Sequence, residues 1–417
     1  MTADLHAVLE EAEQALTDED GSASYALSLL QPRLTEEAET FDEDQWRRVL
    51  TIMRAAFANN DAPELVRSFD EQLATPTDPH AAYRLGYALV EAKLPALASG
   101  VLTRALRYSG DDLAVRNELA ASLELQGRYR EAAIVLEPAT KRPDAPFLSR
   151  YLRAFSLIAS GEATRAVPLV KTLDGDSSEH AKMRARLRQM LRRYEWAGDD
   201  RSVRAQQFIL TGALLLEDEL VDYREESWAT LGVDLLRLRA VVERVDHKPR
   251  RVVSLRSDRQ DVIALAASQL WGLPLTHEYE PSGGGLYVSD NLASIFPDVA
   301  AQLRPHQAGQ IYYAHYAAAN VERPVCADVI GVRGNRIISP WDLYGIIAFD
   351  YDRTDLPKGP PTESVEELAA KIVDGGRAAH QETSAALTDF AYRAAQAGLL
   401  ELARDDGERE RLWAWAR

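Results

Sequence analysis

Leu119-Ala-Ala-Ser-Leu-Glu-Leu-Gln-Gly-Arg-Tyr-Arg-Glu-Ala-Ala133, with Ala139 six residues beyond, decides the fold of the first half of the chain. Displaced by 34 residues, the same small residues return: Gly86, Ala120 and Ala154 hold one position, and Ala98, Ala132 and Ala166 hold another. A third position has Gly127 and Gly161, with Lys93 one period earlier. A period of this length is one supersecondary unit, and here it spells helix–turn–helix. Small residues at 86, 120 and 154 belong where a second helix crosses the first closely. The alanines are their counterparts on that second helix, and bulk at either place forces the pair apart. Glycine at 127 and 161 ends the first helix, where a left-handed residue costs least. Pro143 stops the second helix of its unit.

On these residues, above all Leu119-Ala120, Gly127-Arg-Tyr129, Ala132, Ala139 and Pro143, the stretch from about 80 to 173 resembles the tetratricopeptide repeat family. Lys93 and Leu173 depart from its pattern. Weaker helix pairs flank it: 42–60 with 62–74, and 180–197 with 200–219. The resemblance implies an α-solenoid of about four or five helix pairs, with a concave surface that holds a protein partner. Tyr83, Tyr87, Asn117 and Tyr151 occupy the inward positions and are the candidate partner-binding residues. The Lys, Asn and Arg array with which some family members hold acidic tails is not read here, so that ligand is not carried over.

Around this core the charge is uneven. The chain has 417 residues and a net charge of −17. Residues 1–45 hold thirteen acids and one base, Arg33, leaving −5 for all the rest. Anionic character argues against non-specific nucleic-acid binding. A basic segment, 181–193, carries Lys182, Arg184, Arg186, Arg188, Arg192 and Arg193. Its charges spread around a helix, and the expected partners are the acids at 217–226, the acidic N-terminal residues, or another copy of the chain, so a homo-oligomer is an open expectation. One cysteine, Cys326, excludes an internal disulfide and Cys-rich zinc modules. No apolar run is long enough to span a membrane and no leader peptide is read, so the expected location is cytoplasmic.

From about residue 228 the pattern turns to strand–helix–strand. Strands are expected at 251–255, 286–288, 325–332, 336–338 and 346–349, with Gly334-Asn335 as a hairpin turn. A helix from Asp261 to Trp271 lies among them. This order argues an α/β sheet. The stretch 251–290 faintly resembles the phosphoribosyltransferase-like fold. That likeness implies a pocket near Arg256 and Asp290, to which His315 is added as a candidate, although the Thr and Gly that would cradle a phosphate are absent. His315 and Cys326 also suit the base and nucleophile of a cysteine peptidase, without that family's surrounding motifs. Asp342, Asp350, Asp352 and Asp355 lack the spacing of a calcium loop. Beyond Thr362, apolar faces at Val365, Leu368 and Ile372 and at Leu387 and Phe390 mark terminal helices, with Gly375-Gly376 interrupting the first. Trp413 and Trp415 close the chain as core or docking residues.

The expected organisation is an acidic helical segment (1–45), a tetratricopeptide-like α-solenoid (46–220), an α/β domain (225–360) and C-terminal helices (361–417). The expected function is a scaffold or adaptor with a protein partner on the solenoid, no metal and no cofactor. The alternative is an enzyme acting on nucleotides or phosphosugars, or a cysteine peptidase, with its active site in the α/β domain.

Overall fold

In the computed structural model, the three turn positions of the 34-residue period share one conformation. Lys93, Gly127 and Gly161 all have positive φ, at 64, 73 and 82°. The amide after each donates back to the first helix, in identical register: Leu94 to Leu89, Arg128 to Leu123 and Glu162 to Leu157, at 2.9, 2.9 and 2.7 Å. This bond satisfies carbonyls that the helix end would otherwise orphan.

The structure describes residues 5–17, 22–58, 63–142, 144–175, 177–255, 258–278, 284–292, 295–307, 309–318, 325–338, 340, 363–379, 383–403 and 409. Pro143, Arg256, the 346–349 segment, the four aspartates at 342–355 and both terminal tryptophans lie outside them. The chain divides into two compact units, residues 1–180 and 181–417.

The first unit contains α1 (Leu5–Thr17), α2 (Ala23–Glu37), α3 (Glu43–Phe57), α4 (Pro63–Ala74), α5 (Pro79–Glu91), α6 (Pro95–Ser109), α7 (Leu113–Leu125), α8 (Tyr129–Thr140), α9 (Phe147–Ala159) and α10 (Ala163–Lys171). From α5 onward the helix starts repeat at 34 residues: 79, 113 and 147 for the first of each pair, and 95, 129 and 163 for the second. Asp78 and Asp112, one period apart, cap α5 and α7 by accepting two backbone amides each. Each helix from α4 to α9 packs on the next. Ala98, Ala132 and Ala166 are wholly buried. A Cβ on Gly86 would lie 2.5 Å from Leu102 Cγ of α6, which is why that position is glycine. α2 also packs on α6, where Arg104 donates to the Phe41 carbonyl and lies over the Trp46 ring. The acidic N-terminal helix is tied in by Arg48, whose guanidinium grips both Glu13 oxygens at 2.9 Å.

The second unit comprises α11 (Ser178–Ala197), α12 (Val203–Thr211), β1 (Leu214–Leu215), β2 (Leu220–Glu225), α13 (Trp228–Arg244), β3 (Val252–Ser254), α14 (Asp258–Trp271), β4 (Leu275–Thr276), β5 (Gly285–Asn291), α15 (Pro297–Leu303), β6 (Gln310–Ala318), β7 (Val329–Ile338), α16 (Val365–Ala379) and α17 (Ala385–Gln396). The strands form one parallel sheet in the order β4-β3-β5-β6-β7, with β1 and β2 both alongside β7. Both faces are covered, as a parallel sheet requires. Leu286, Val288, Ile311, Tyr313 and Val329 meet α13, α14 and α16, while Tyr287, Tyr312, Ala314 and Ile330 meet Val299, Leu303 and Cys326.

Three expectations are corrected. The helix expected over 200–219 ends at Thr211, because Gly212 turns left-handed (φ 78°) and the apolar run beyond it enters the sheet as β1. Gly334-Asn335 is not a hairpin turn: β7 runs unbroken through it, and Gly334 is needed because a side chain there would strike the Val221 carbonyl of β2. Gly375-Gly376 does not interrupt its helix. α16 continues through both, and a Cβ on Gly376 would sit 2.7 Å from Gly232 Cα, so the glycines let α13 and α16 touch backbone to backbone.

Candidate functional site

In the first unit, α4 and α5 border a groove of about 790 Å³. Tyr83, Tyr87 and Glu91 stand at i, i+4 and i+8 along α5, so they share one stripe of its surface. Glu64, Leu65 and Ser68 of α4 face that stripe across the groove. The tyrosine rings are 6.4 Å apart and tilted by 43°, and Tyr87 is 42% exposed. Arg84 also lines the groove and donates to Glu71 at 3.0 Å. Asn117 is elsewhere: its side-chain oxygen accepts the Ser149 hydroxyl at 2.9 Å, tying α7 to α9. Tyr151 is 1% exposed and stacks on Phe147, so it is core and presents no binding surface.

In the second unit, β6 carries His315, buried in a cluster of charged groups. The Tyr313 hydroxyl lies 3.2 Å from His315 Nδ1. Asp234 of α13 is 3.6 Å from the same nitrogen, and Glu226 is 3.9 Å from Nε2. A Tyr313 hydroxyl donating to Nδ1 leaves the neutral ring's proton on Nε2, toward Glu226. Gly331 of β7 makes the arrangement possible, since a Cβ there would fall 2.9 Å from the Tyr313 hydroxyl. Asp290 joins the row. Ser289 pairs with Ala314 and Asn291 with Tyr316, which places Asp290 beside His315 across the β5–β6 ladder. Thus the structure brings together two of the three α/β-domain candidates, while Arg256 lies outside the described residues.

The electrostatics follow from burial. Desolvation pushes the Asp234 carboxyl up to about 8, with the Glu217 charge adding to it and Arg237 opposing it. Desolvation also lowers His315 from its ordinary value, while Glu226, Glu217 and Asp290 pull the other way. Among the described residues, neither Glu226 side-chain oxygen has a hydrogen bond, and Arg224 lies 3.5 Å from it. Arg224 and Arg237 both reach Glu217, at 2.5 and 3.3 Å, and Arg237 reaches Asp234 at 3.1 Å. These arginines line a cavity of about 690 Å³ together with Arg204, with the carboxylates Glu217, Asp218 and Glu219, and with Thr230, Val233 and Leu387 among its other residues. An imidazole between two carboxylates can take up and release a proton, and the cavity falls in the size range of small-molecule sites.

Of the acids at 217–226, Glu217, Asp218, Glu219 and Glu226 take ion pairs from Arg204, Arg224 and Arg237. In α11, Arg193 is 1% exposed and pairs with Glu401 at 2.7 Å. Glu401 also bonds His306 Nε2 at 2.6 Å. Asp328 lies 4.0 Å from His306 and receives a bidentate bond from Arg409, at 2.7 and 2.8 Å. Cys326 is buried on the face of the sheet opposite to Tyr313, and burial pushes its thiol up to about 12. It is therefore neither ionised nor placed beside His315, and the peptidase pairing is set aside. Among the described residues, no group of three or more His, Cys, Asp or Glu side chains is placed to hold a metal ion, and no helix is long and apolar enough to cross a membrane.

Sequence reasoning singled out His315 and Asp290 but missed Glu226 and Asp234. A signal was present for the second. Asp234 falls among Leu231, Leu235 and Leu238 on the buried side of α13, where an acid is out of place unless it is partnered. Comparison with protein families, with curated proteins and with solved structures returned no match.

Proposed function

We propose that this chain is a protein-interaction adaptor, with a tetratricopeptide-like helical unit that holds a peptide segment of its partner and an α/β unit that serves as a second binding module. One observation carries the reading. The helix starts, turn bonds and small interhelical residues all recur at 34 residues, and the groove beside the first such pair exposes aromatic surface at Tyr87. Stacked pairs of this kind present extended surfaces without needing catalytic groups, and tyrosine supplies contact area at low entropic cost. The test is selection of a random peptide library on the full chain. Peptides should emerge whose affinity falls at least tenfold on Tyr87→Ala, with the melting temperature unchanged. Absence of any peptide sensitive to that change refutes the reading.

A small-ligand or enzymatic role for the α/β unit has one observation in its favour. The His315 cluster shares Glu217, Arg224 and Arg237 with the adjoining cavity. A nucleotide or sugar phosphate that raises the melting temperature of the wild type but not of an Arg237→Ala variant would support it. No shift for either class would remove it.

A further inference from the structure

We infer that Glu226, His315 and Asp234 form a proton-operated latch. A proton gained by the imidazole ties residue 226 to β6, and its loss leaves Glu226 to Arg224 and so resets the wall of the adjoining cavity. The first ground is hydrogen bonding. Glu226 is 4% exposed and His315 1% exposed, yet among the described residues neither Glu226 carboxylate oxygen has a hydrogen-bond partner, and neither does His315 Nε2. Buried polar groups without partners are rare and costly. Here two of them face each other at 3.9 Å, just beyond bonding reach.

The second ground is what surrounds the ring. β6 itself supplies the Tyr313 hydroxyl, 3.2 Å from Nδ1, and burial keeps that phenol protonated, so it donates. α13 supplies Asp234, 3.6 Å from Nδ1, and Arg237, 3.1 Å from Asp234. β2 supplies Arg224, and Glu217 just ahead of β2 pairs with both arginines. β5 places Asp290 beside the ring, and β7 presents Gly331 there. Glu217, Glu226 and Asp234 thus share two guanidiniums, and protons offset the charge that remains. Asp234, pushed up to about 8, holds one at neutral pH. The next goes to the imidazole. Burial lowers its affinity while Glu226, Glu217 and Asp290 pull the other way, so it arrives in mildly acid solution.

The third ground is the contrast between the two states. In the neutral ring, with Tyr313 donating to Nδ1, the Nε2 proton points toward Glu226 without bonding it. Arg224 then offsets Glu226 while also serving Glu217 and Glu219. In the charged ring both nitrogens are donors, and a small closure makes a charge-assisted bond from Nε2 to Glu226. Arg224 is then left to Glu217 and Glu219. All three of these line the cavity, so the proton redraws its wall.

The test compares the full chain with Glu226→Gln, which keeps the volume and removes the charge. Histidine-labelled NMR, with His315 assigned by the signal lost in His315→Gln, should show the Nε2–H tautomer near about pH 8 and protonation at a midpoint below 6.5. Glu226→Gln should move that midpoint down by about half a unit or more. Thermal unfolding gives a second readout. Near about pH 8 Glu226→Gln should melt higher than the wild type, because an unbonded buried carboxylate is relieved. Near about pH 5.5 that gap should close or reverse, because the wild-type imidazolium then has its counter-charge. Amide exchange over residues 217–230, corrected for its intrinsic pH dependence, should slow on the acid side in the wild type and not in the variant. Three results each overturn the latch: a ring that stays neutral until acid unfolding, a midpoint that Glu226→Gln leaves unchanged, or a melting gap that does not vary with pH. The histidine spectrum of the unaltered chain decides the first of these even where the variant folds poorly.

Discussion

Lys93 is a lysine held where its two equivalents are glycines, and replacing it should stabilise the protein. Its φ of 64° costs an L-residue about 1–2 kcal/mol relative to the ordinary helical region. Lys93→Gly removes that cost but gives the unfolded chain more freedom, worth about 0.4–1 kcal/mol in the other direction. The net expectation is a gain of about 0.5–1 kcal/mol. Because Lys93 has a further interaction of its own, the clean comparison is Lys93→Gly against Lys93→Ala, which keeps the strained backbone without the long side chain. Gly127→Ala is the mirror experiment. Its Cβ would meet no atom within 4 Å, so any loss, again about 0.5–1 kcal/mol, is conformational. Urea unfolding reads both as a shift of midpoint at constant slope. The reasoning is refuted if the glycine at 93 is no more stable than the alanine, or if Gly127→Ala is neutral.

Three further outcomes are expected. Gly376→Ala forces a methyl to within 2.7 Å of Gly232 Cα, where only backbone can yield, and should cost about 1–3 kcal/mol or more in chemical denaturation. Asp234 has its folded value raised to about 8, so it binds a proton in the folded state that it releases when unfolded. Its contribution is full below about pH 4 and lost as pH rises toward 8, and Asp234→Asn should flatten that part of the stability–pH curve. Asp328 behaves oppositely. Burial works against its charge, but Arg409 and His306 outweigh it and hold the carboxyl below its ordinary 3.8, so its contribution is present above that value and lost in more acid solution. Arg409→Ala strands the buried carboxylate and should cost about 3–5 kcal/mol, most of it recovered when Asp328→Asn is added.

Much of the helical unit was legible because its determinants are local. The alanines at 98, 132 and 166 and the turn at 93, 127 and 161 each act within one repeat, so spacing alone places them. Tyr151 was misread because its inward position could be inferred but its burial against Phe147 could not. In the α/β unit the strand–helix alternation was visible, whereas the glycines misled. Gly334 and Gly376 have the composition of breaks, yet both mark close approach of a distant element, β2 in one case and α13 in the other. Short-range pattern cannot separate a glycine that bends the chain from one that admits a neighbour. The acid cluster around His315 is likewise assembled from residues flanking β2 and from α13, β5 and β6, segments nearly a hundred residues apart.

Arg409 gives the order of events during synthesis a direction. Its guanidinium closes contacts with residues 81 to 106 positions earlier, and Glu401 reaches back 208 positions to Arg193. The helical pairs of the first unit need only their sequence neighbours and can settle while the ribosome is still working. The sheet unit must hold Arg193 and Asp328 without partners that are made 208 and 81 residues later. A polypeptide halted shortly before residue 409 would then carry Asp328 without its guanidinium partner, a buried charge that the longer chain compensates.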